Sequence, residues 1–175
     1  AQLKNYHSQP KAKQVTLVSW VASDWTDEGY EGMRSNRKAY AARHGYRFLD
    51  YRETNLPTVE LTDSWRRLKW RIKPLLMLAA MSSARHHEWY IWMDADTMFT
   101  NATVQWSALL HRDLVVPEAP DVITNNGVFA IRATKWGRNF LEQWRKENER
   151  VHGLLHDQGP FILTMLRSFA QAHSS

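Results

Sequence analysis

The sequence predicts an α/β domain with a mostly parallel central sheet flanked by helices, and three observations carry that prediction. The apolar run Trp89 to Met93 ends abruptly at two acids in EWYIWMDADTMFT, Glu88 to Thr100, and such a run suits a strand buried on both faces of a parallel sheet. An earlier β-branched and apolar run, Gln14 to Val21, is followed by a helix-like segment and a second strand-like run. Strand, helix and strand in that order imply a crossover and a parallel pair. Amphipathic helical patterns then alternate with short strands along the rest of the chain.

Taken in order, Gln14 to Val21 (QVTLVSWV) reads as a buried strand, and its end, Ser19 to Asp24, opens on the same sheet edge as Asp94. Asp27 to Met33 contains two glycines and is expected to be a loop. Arg34 to His44 sets Met33, Tyr40 and Ala41 on one helical face, with Gly45 suited to the left-handed position that ends helices. Tyr46 to Tyr51 alternates as a second strand, with Asp50 at its end. Asn55 to Thr62 is a connector. Asp63 or Ser64 caps a helix to Ser83 with Trp65, Leu68, Ile72, Leu75, Leu76 and Ala79 as its buried stripe, and Pro74 forces a kink or restart inside it. Asp113 to Val116 is a short strand, and Asp121 to Arg132 a strand interrupted at Asn125 to Gly127. Trp136, Phe140, Leu141 and Trp144 give the next helix its apolar face. After a histidine-bearing loop, Val151 to Gly159, a final helix turns Ile162, Leu163, Leu166 and Phe169 inward. Residues 1–13 form a polar, basic linker or stem, and residues 14–175 a single domain.

A chain of 175 residues with 43% hydrophobic content is long enough for one substantial core. The formal net charge of +5 favours an anionic partner. The basic residues are scattered, which excludes a nucleic-acid-binding stripe and leaves a nucleotide or diphosphate as the anion. There is no cysteine to supply disulfides or thiolate ligands. No apolar stretch is long enough to cross a membrane, so an anchor would have to lie outside this chain. The nine tryptophans serve the core first, and some can form sugar-stacking faces.

Asp94 and Asp96 mark the candidate site. They fall at the C-terminal end of a buried strand, where open α/β sheets bind ligands, and residues i and i+2 of an extended segment point the same way. Two convergent carboxylates suit a hard divalent cation such as Mn²⁺ or Mg²⁺, whose open positions diphosphate oxygens fill. Taken alone, Asp-x-Asp also suits a solvated turn.

Four ordered stretches, YAARHGYRF (Tyr40 to Phe48), WRIKPLL (Trp70 to Leu76), EWYIWMDADTMFTN (Glu88 to Asn101) and NNGVFAIRATKWGRNFLEQW (Asn125 to Trp144), with the weaker HDQGPF (His156 to Phe161), carry a resemblance. In these stretches the chain resembles nucleotide-sugar glycosyltransferases of the Rossmann-like GT-A fold, and among them the galactosyl/mannosyl transferase family that includes plant xyloglucan xylosyltransferases. The resemblance implies a nucleoside-diphosphate sugar as donor, a glycan or other hydroxyl acceptor, transfer with retention of configuration, and residence in the Golgi lumen or secretory pathway if the source is eukaryotic. It makes Asp94 and Asp96 the DXD metal pair, with Asp94 shared between metal and ribose. Lys73 is implied to approach donor phosphate or ribose, Asn125 and Gly127 to lie beside the sugar, and Asp157 and Gln158 to stand near the reacting carbon. Ser19, Trp20 and Asp50 sit at the strand ends where the nucleoside binds in this fold. The resemblance also implies a histidine ligand from a segment after the last helix. The expectation is therefore either that a C-terminal segment lies outside residues 14–175 or that Asp96, phosphate and water hold the metal alone.

Two other readings share these residues. An apolar strand followed by Asp94 to Thr97 also resembles the nucleophile motif of haloacid-dehalogenase-type phosphatases, although that motif is central here and no later acidic pair follows Lys135. An inactive relative that only binds sugar or nucleotide is the non-enzymatic alternative. The sequon Asn101-Ala102-Thr103 stands just past the acids, where a glycan would crowd the cleft unless the turn leads away.

Overall fold

A computed structural model describes residues 14–22, 27–57, 69–82, 84, 88–119, 124–150 and 156–173. Its centre is β3 (Trp89–Met93), all five residues of which are buried. On one side lies β1 (Val15–Val21), parallel to β3 and to the edge strand β2 (Arg47–Arg52). On the other side β5 (Val128–Arg132) runs antiparallel, and the two-residue edge strand β4 (Leu114–Val115) runs antiparallel to β5. The order is β2-β1-β3-β5-β4. Four of the five strands therefore point the same way, and the turn at Asn125 to Gly127 feeds the one that does not.

Helices cover both faces. On one face α1 (Asp27–His44) packs Tyr40 and Ala41 over Leu17, Trp89, Ile91 and Ala130. On the other, α2 (Lys73–Ala80), α3 (Lys135–Arg150) and α4 (Gln158–His173) pack around Val18, Tyr90, Trp92, Phe129 and Ile131. Trp144 and Phe161 meet edge to face at 4.9 Å in the middle of that layer. Alternation along β3 thus decides that Tyr90, Trp92 and then Asp94 look toward α2.

Several local expectations need correction. Asp27 to Met33 is helix, not loop. Its two glycines cost about 1 kcal/mol each relative to alanine, but Tyr30 is buried and its hydroxyl donates to Asp50, so a tertiary anchor overrides propensity. Asp63 to Leu68 lie outside the described residues. The helix reading is met by a 3₁₀ turn at Lys69–Ile72 and a restart at Lys73, with Pro74 in the first turn of α2. The restart resets the phase, so Met77 and Ala80 are buried beside Ile72 and Leu76, while Leu75 and Ala79 are only half-buried. Trp136 is 39% exposed and stacks on Phe140 from outside. In α4 the inward stripe is Phe161, Thr164 and Met165, whereas Leu166 and Phe169 are 50% and 56% exposed. The segment offers two apolar stripes one residue apart, and the tether at its first turn, described below, selects between them.

Helix α3 begins with Thr134 as cap, its Oγ1 accepting from the Gly137 amide at 3.1 Å. Gly137 also lets the helix lie against β5: a Cβ there would stand 2.1 Å from the Arg132 carbonyl oxygen. Because the obstacle is backbone, Gly137→Ala should destabilise by about 3 kcal/mol. Urea titration of the variant against the parent measures that loss, and a difference within 0.5 kcal/mol or so would show that helix and strand separate freely.

Candidate functional site

The site is built where β3 ends. The Asp94 amide donates to the Gly127 carbonyl at 2.8 Å, joining the acidic turn to the start of β5. Both Asp94 oxygens are engaged from the α2 face: Trp92 Nε1 donates to Oδ1 at 2.7 Å and Lys73 Nζ to Oδ2 at 3.0 Å. Lys73 is only 6% exposed, because the restart of α2 puts it in the first turn facing β3. Its ammonium lies 3.0 Å from Asp157 Oδ2 as well, and it donates to the Asn126 side-chain oxygen at 3.2 Å. Asn126 in turn donates through Nδ2 to Asp157 Oδ2 at 2.8 Å, and its amide donates to Gln158 Oε1 at 3.1 Å. Gln158 closes the ring by donating to the Thr124 carbonyl.

The electrostatics follow from one buried ammonium serving two carboxylates, a buried one on Asp157 and a half-buried one on Asp94. Burial alone would lower the Lys73 pKa, but Asp157 and Asp94 outweigh it and hold the lysine above its usual value, charged at neutral pH. Burial raises the Asp94 carboxyl above its usual value, and the attraction of the shared lysine only partly offsets this. Asp96, one step further along the turn, is exposed and forms no hydrogen bond or ion pair among the described residues. Two carboxylates, Asp94 and Asp157, thus share one ammonium.

Of the residues expected from sequence, the structure brings together Asp94, Lys73, Asp157, Gln158 and Gly127. Lys73 is not an exposed helix lysine: its ammonium is buried and bonded within the protein. Asn125 is exposed and accepts from the Gly127 amide at 2.6 Å. A Cβ on Gly127 would stand 2.9 Å from that Asn125 oxygen and 3.2 Å from Asp94 Oδ2, so glycine keeps the space beside the acid clear. Ser19 and Asp50 are register partners on the α1 face. The Asp50 carboxylate takes the Tyr30 hydroxyl and, at 2.7 Å, Arg34 Nε. Trp20 packs toward the opposite face. None of these three bonds to the Lys73 cluster.

Asn126 was not legible. In Asn125-Asn126-Gly127 the sequence does not say which asparagine turns inward, and only the pairing of Met93 with Val128 settles it. His156, directly before Asp157, has left-handed backbone (φ 48°) and lies 4.7 Å from the Trp70 ring, a conformation uncommon outside glycine and frequent at functional sites. The loop after the acids leads away along α1, with Asn36 bonded to Phe99, Tyr40 to Val104 and His44 to Ala102. The sequon therefore stands toward the far end of α1, clear of the acids. A cavity of about 610 Å³ between β4, α3 and α4 is also remote. It borders Leu114, which pairs with Ile131 near the end of β5 that faces the start of β3.

A five-stranded open sheet flanked by helices, with Asp-x-Asp at the end of its central strand, is the GT-A class of fold that the sequence led us to expect. The sequence profile of the galactosyl transferase GMA12/MNN10 family matches residues 15–116, and the chain belongs to that family. It is 27% identical over 139 residues to xyloglucan 6-xylosyltransferase 4 of Arabidopsis thaliana, covering 74% of this chain and 25% of that one. It is 33% identical over 110 residues to probable glycosyltransferase 6 of Oryza sativa subsp. indica, covering 53% and 22%. The chain spans about a quarter of the length of these curated relatives. Among solved structures it superposes with a TM-score of 0.63 on a glycosyltransferase involved in glycosylation of the major capsid of PBCV-1. That match covers 83% of this chain and 72% of that one at 16% identity, a likeness of fold. Membership places the chain in a transferase family rather than among haloacid-dehalogenase-type phosphatases.

Two substitutions separate charge from packing in the metal-free protein. A raised Asp94 pKa means the folded state holds a proton that the unfolded chain has released, so stability falls as pH rises between the unfolded and folded values. Asp94→Asn should therefore remove that fall, so its melting temperature relative to the parent should climb as pH rises through that window, on top of a constant loss because the amide NH2 faces Trp92 Nε1–H or the Lys73 ammonium. Lys73→Met should cost about 3 kcal/mol by leaving Asp157 and Asp94 without their cation. Calorimetric melting in EDTA across pH tests both, and a difference between Asp94→Asn and the parent that is the same at every pH would refute the first.

Proposed function

We propose that the chain carries the donor-binding and catalytic core of a metal-dependent glycosyltransferase, which moves a sugar from a nucleoside-diphosphate sugar to a hydroxyl acceptor on a glycan or similar molecule. The observation that carries this reading is the convergence of Asp94, Lys73, Asn126, Asp157 and Gln158 beside an exposed, unpaired Asp96 at the C-terminal edge of the sheet.

The residues present fit a hard divalent cation. Asp96 and Asp94 are oxygen donors at one strand end, and among the described residues no third acidic, histidine or cysteine group joins them. Two carboxylates with phosphate and water are a common way to hold Mg²⁺ or Mn²⁺. When bound, the cation neutralises the diphosphate leaving group. The protein's own part is orientation. Lys73 keeps Asp94 at the edge and fixes Asp157 opposite it, while Asn126 and Gln158 lock the turn before β5 to the start of α4. Gly127 leaves the space beside Asp94 open to the sugar. Asp157, at the first turn of α4, supplies negative charge where the sugar becomes cationic in the transition state. The acceptor hydroxyl attacks from the face that the leaving group vacates, retaining configuration, and no side chain is assigned as general base. In a eukaryotic source the reaction belongs to the Golgi lumen or secretory pathway.

Asp96→Ala tests the reading because the residue is exposed and unpaired, so the fold should survive. Metal-dependent hydrolysis and transfer from a panel of UDP- and GDP-sugars with Mn²⁺ should fall by about two orders of magnitude or more, with the melting temperature unchanged. Full activity in the variant would remove the metal role. A parent protein that binds a nucleotide sugar without turning it over, with or without acceptor, would instead make the chain a binding module.

A further inference from the structure

A second buried cation grips the acidic turn from the opposite side. Arg37, on α1, is 0% exposed. Its Nη1 donates to the carbonyls of Asp94 at 2.7 Å, Ala95 at 3.2 Å and Thr97 at 3.3 Å. Its Nε and Nη2 find no well-formed hydrogen bond among the described residues, and the guanidinium lies over the Tyr30 ring at 5.3 Å. Arg37 forms no ion pair among the described residues. Burying a cation is expensive, and the cost is ordinarily met by a hydrogen-bonded carboxylate. Here Asp50 and Asp96 attract the guanidinium through space, and its hydrogen bonds go to three peptide carbonyls, all belonging to the one turn that carries Asp94 and Asp96. The Asp94 carbonyl is held twice, since Thr97 Oγ1 also donates to it at 2.7 Å.

We propose that Arg37 is a positioning residue for cation binding: its guanidinium fixes the peptide planes of residues 94–97 from the α1 side and so sets the directions in which Asp94 and Asp96 leave the chain. A peptide group is planar, so a carbonyl pinned on one side fixes the N–H and the following Cα on the other. Lysine could keep the charge, but an ammonium on a flexible stem lacks the planar guanidinium that lies over the Tyr30 ring and holds Nη1 against the three carbonyls. The consequence rests on the transferase reading above, because it matters to function only if the two acids hold a metal.

The test measures Mn²⁺ affinity without turnover, by electron paramagnetic resonance titration of the metal-free full chain, together with amide hydrogen exchange of residues 94–99 in EDTA. Arg37→Lys should weaken Mn²⁺ by about tenfold or more and speed exchange across the turn. Asn36→Ala, which frees Phe99 on the same loop but leaves the turn carbonyls held, should lower the melting temperature without changing Mn²⁺ affinity. If Arg37→Lys does not fold, Thr97→Val removes only the second donor to the Asp94 carbonyl, and a smaller loss of Mn²⁺ affinity is expected. Parental affinity and parental exchange in the variant that folds would overturn the proposal. If the parent binds no Mn²⁺, the transferase reading fails on its own; exchange still reports whether Arg37 holds the turn, and unchanged exchange would refute the clamp as well.

Discussion

The structure depends on one buried ammonium. Lys73 ties the first turn of α2 to the end of β3 through Asp94, to the start of α4 through Asp157, and to the turn before β5 through Asn126. Three segments far apart in sequence thus meet at a single charge. A lysine with so little exposure is tolerable only when its hydrogens are taken by acceptors of opposite charge, and this one has two carboxylates and an amide oxygen within reach. Burial holds the Asp94 carboxyl above its usual value, and the shared lysine offsets this only in part.

That tether also explains features that look unrelated to the site. Helix α4 has two apolar stripes and buries the one that begins at Phe161, because Asp157 is anchored to Lys73 and Asn126 directly before the helix begins. Helix α2 starts at Lys73 rather than several residues earlier, and the residue that opens it is the one the site needs. The core around Trp144 and Phe161 and the polar cluster at the edge are therefore parts of the same packing solution, with the rotation of α4 set by the cluster and its depth by the aromatics.

How much of this was legible in the sequence depends on the range of the signal. β1 and β3 are long apolar runs and could be read directly, as could the Gly45 cap, which has φ 66°. Asp94 and Asp96 were legible because their strand is buried on both sides. The first turns of α1 were not, since Gly29 and Gly32 argue locally for a loop and only the Tyr30 to Asp50 contact, twenty residues away, reverses that. Lys73, Asp157 and Gln158 could be named from the resemblance, but not the fact that the lysine binds both acids, which depends on where the helix restarts. Asn126 and Arg37 carried no signal. One is half of an Asn-Asn pair, and the other is an arginine in a basic helix, a residue type that is nearly always solvated.

The two cations differ in what they hold, and the difference is physically apt. Lys73 approaches the turn from the α2 side and takes carboxylate oxygens, so its pull acts on the side chain that carries charge. Arg37 approaches from the α1 side and takes carbonyl oxygens, so its pull acts on the backbone that carries the side chains. A single cation on either face would leave one of these free: the carboxylate could swing, or the peptide planes could rotate under it. Held from both faces of the sheet, the turn has one carboxylate fixed inward at Asp94 and one left to solvent at Asp96. Asp96 forms no hydrogen bond or ion pair of its own among the described residues, so its direction is set by the backbone that Arg37 holds.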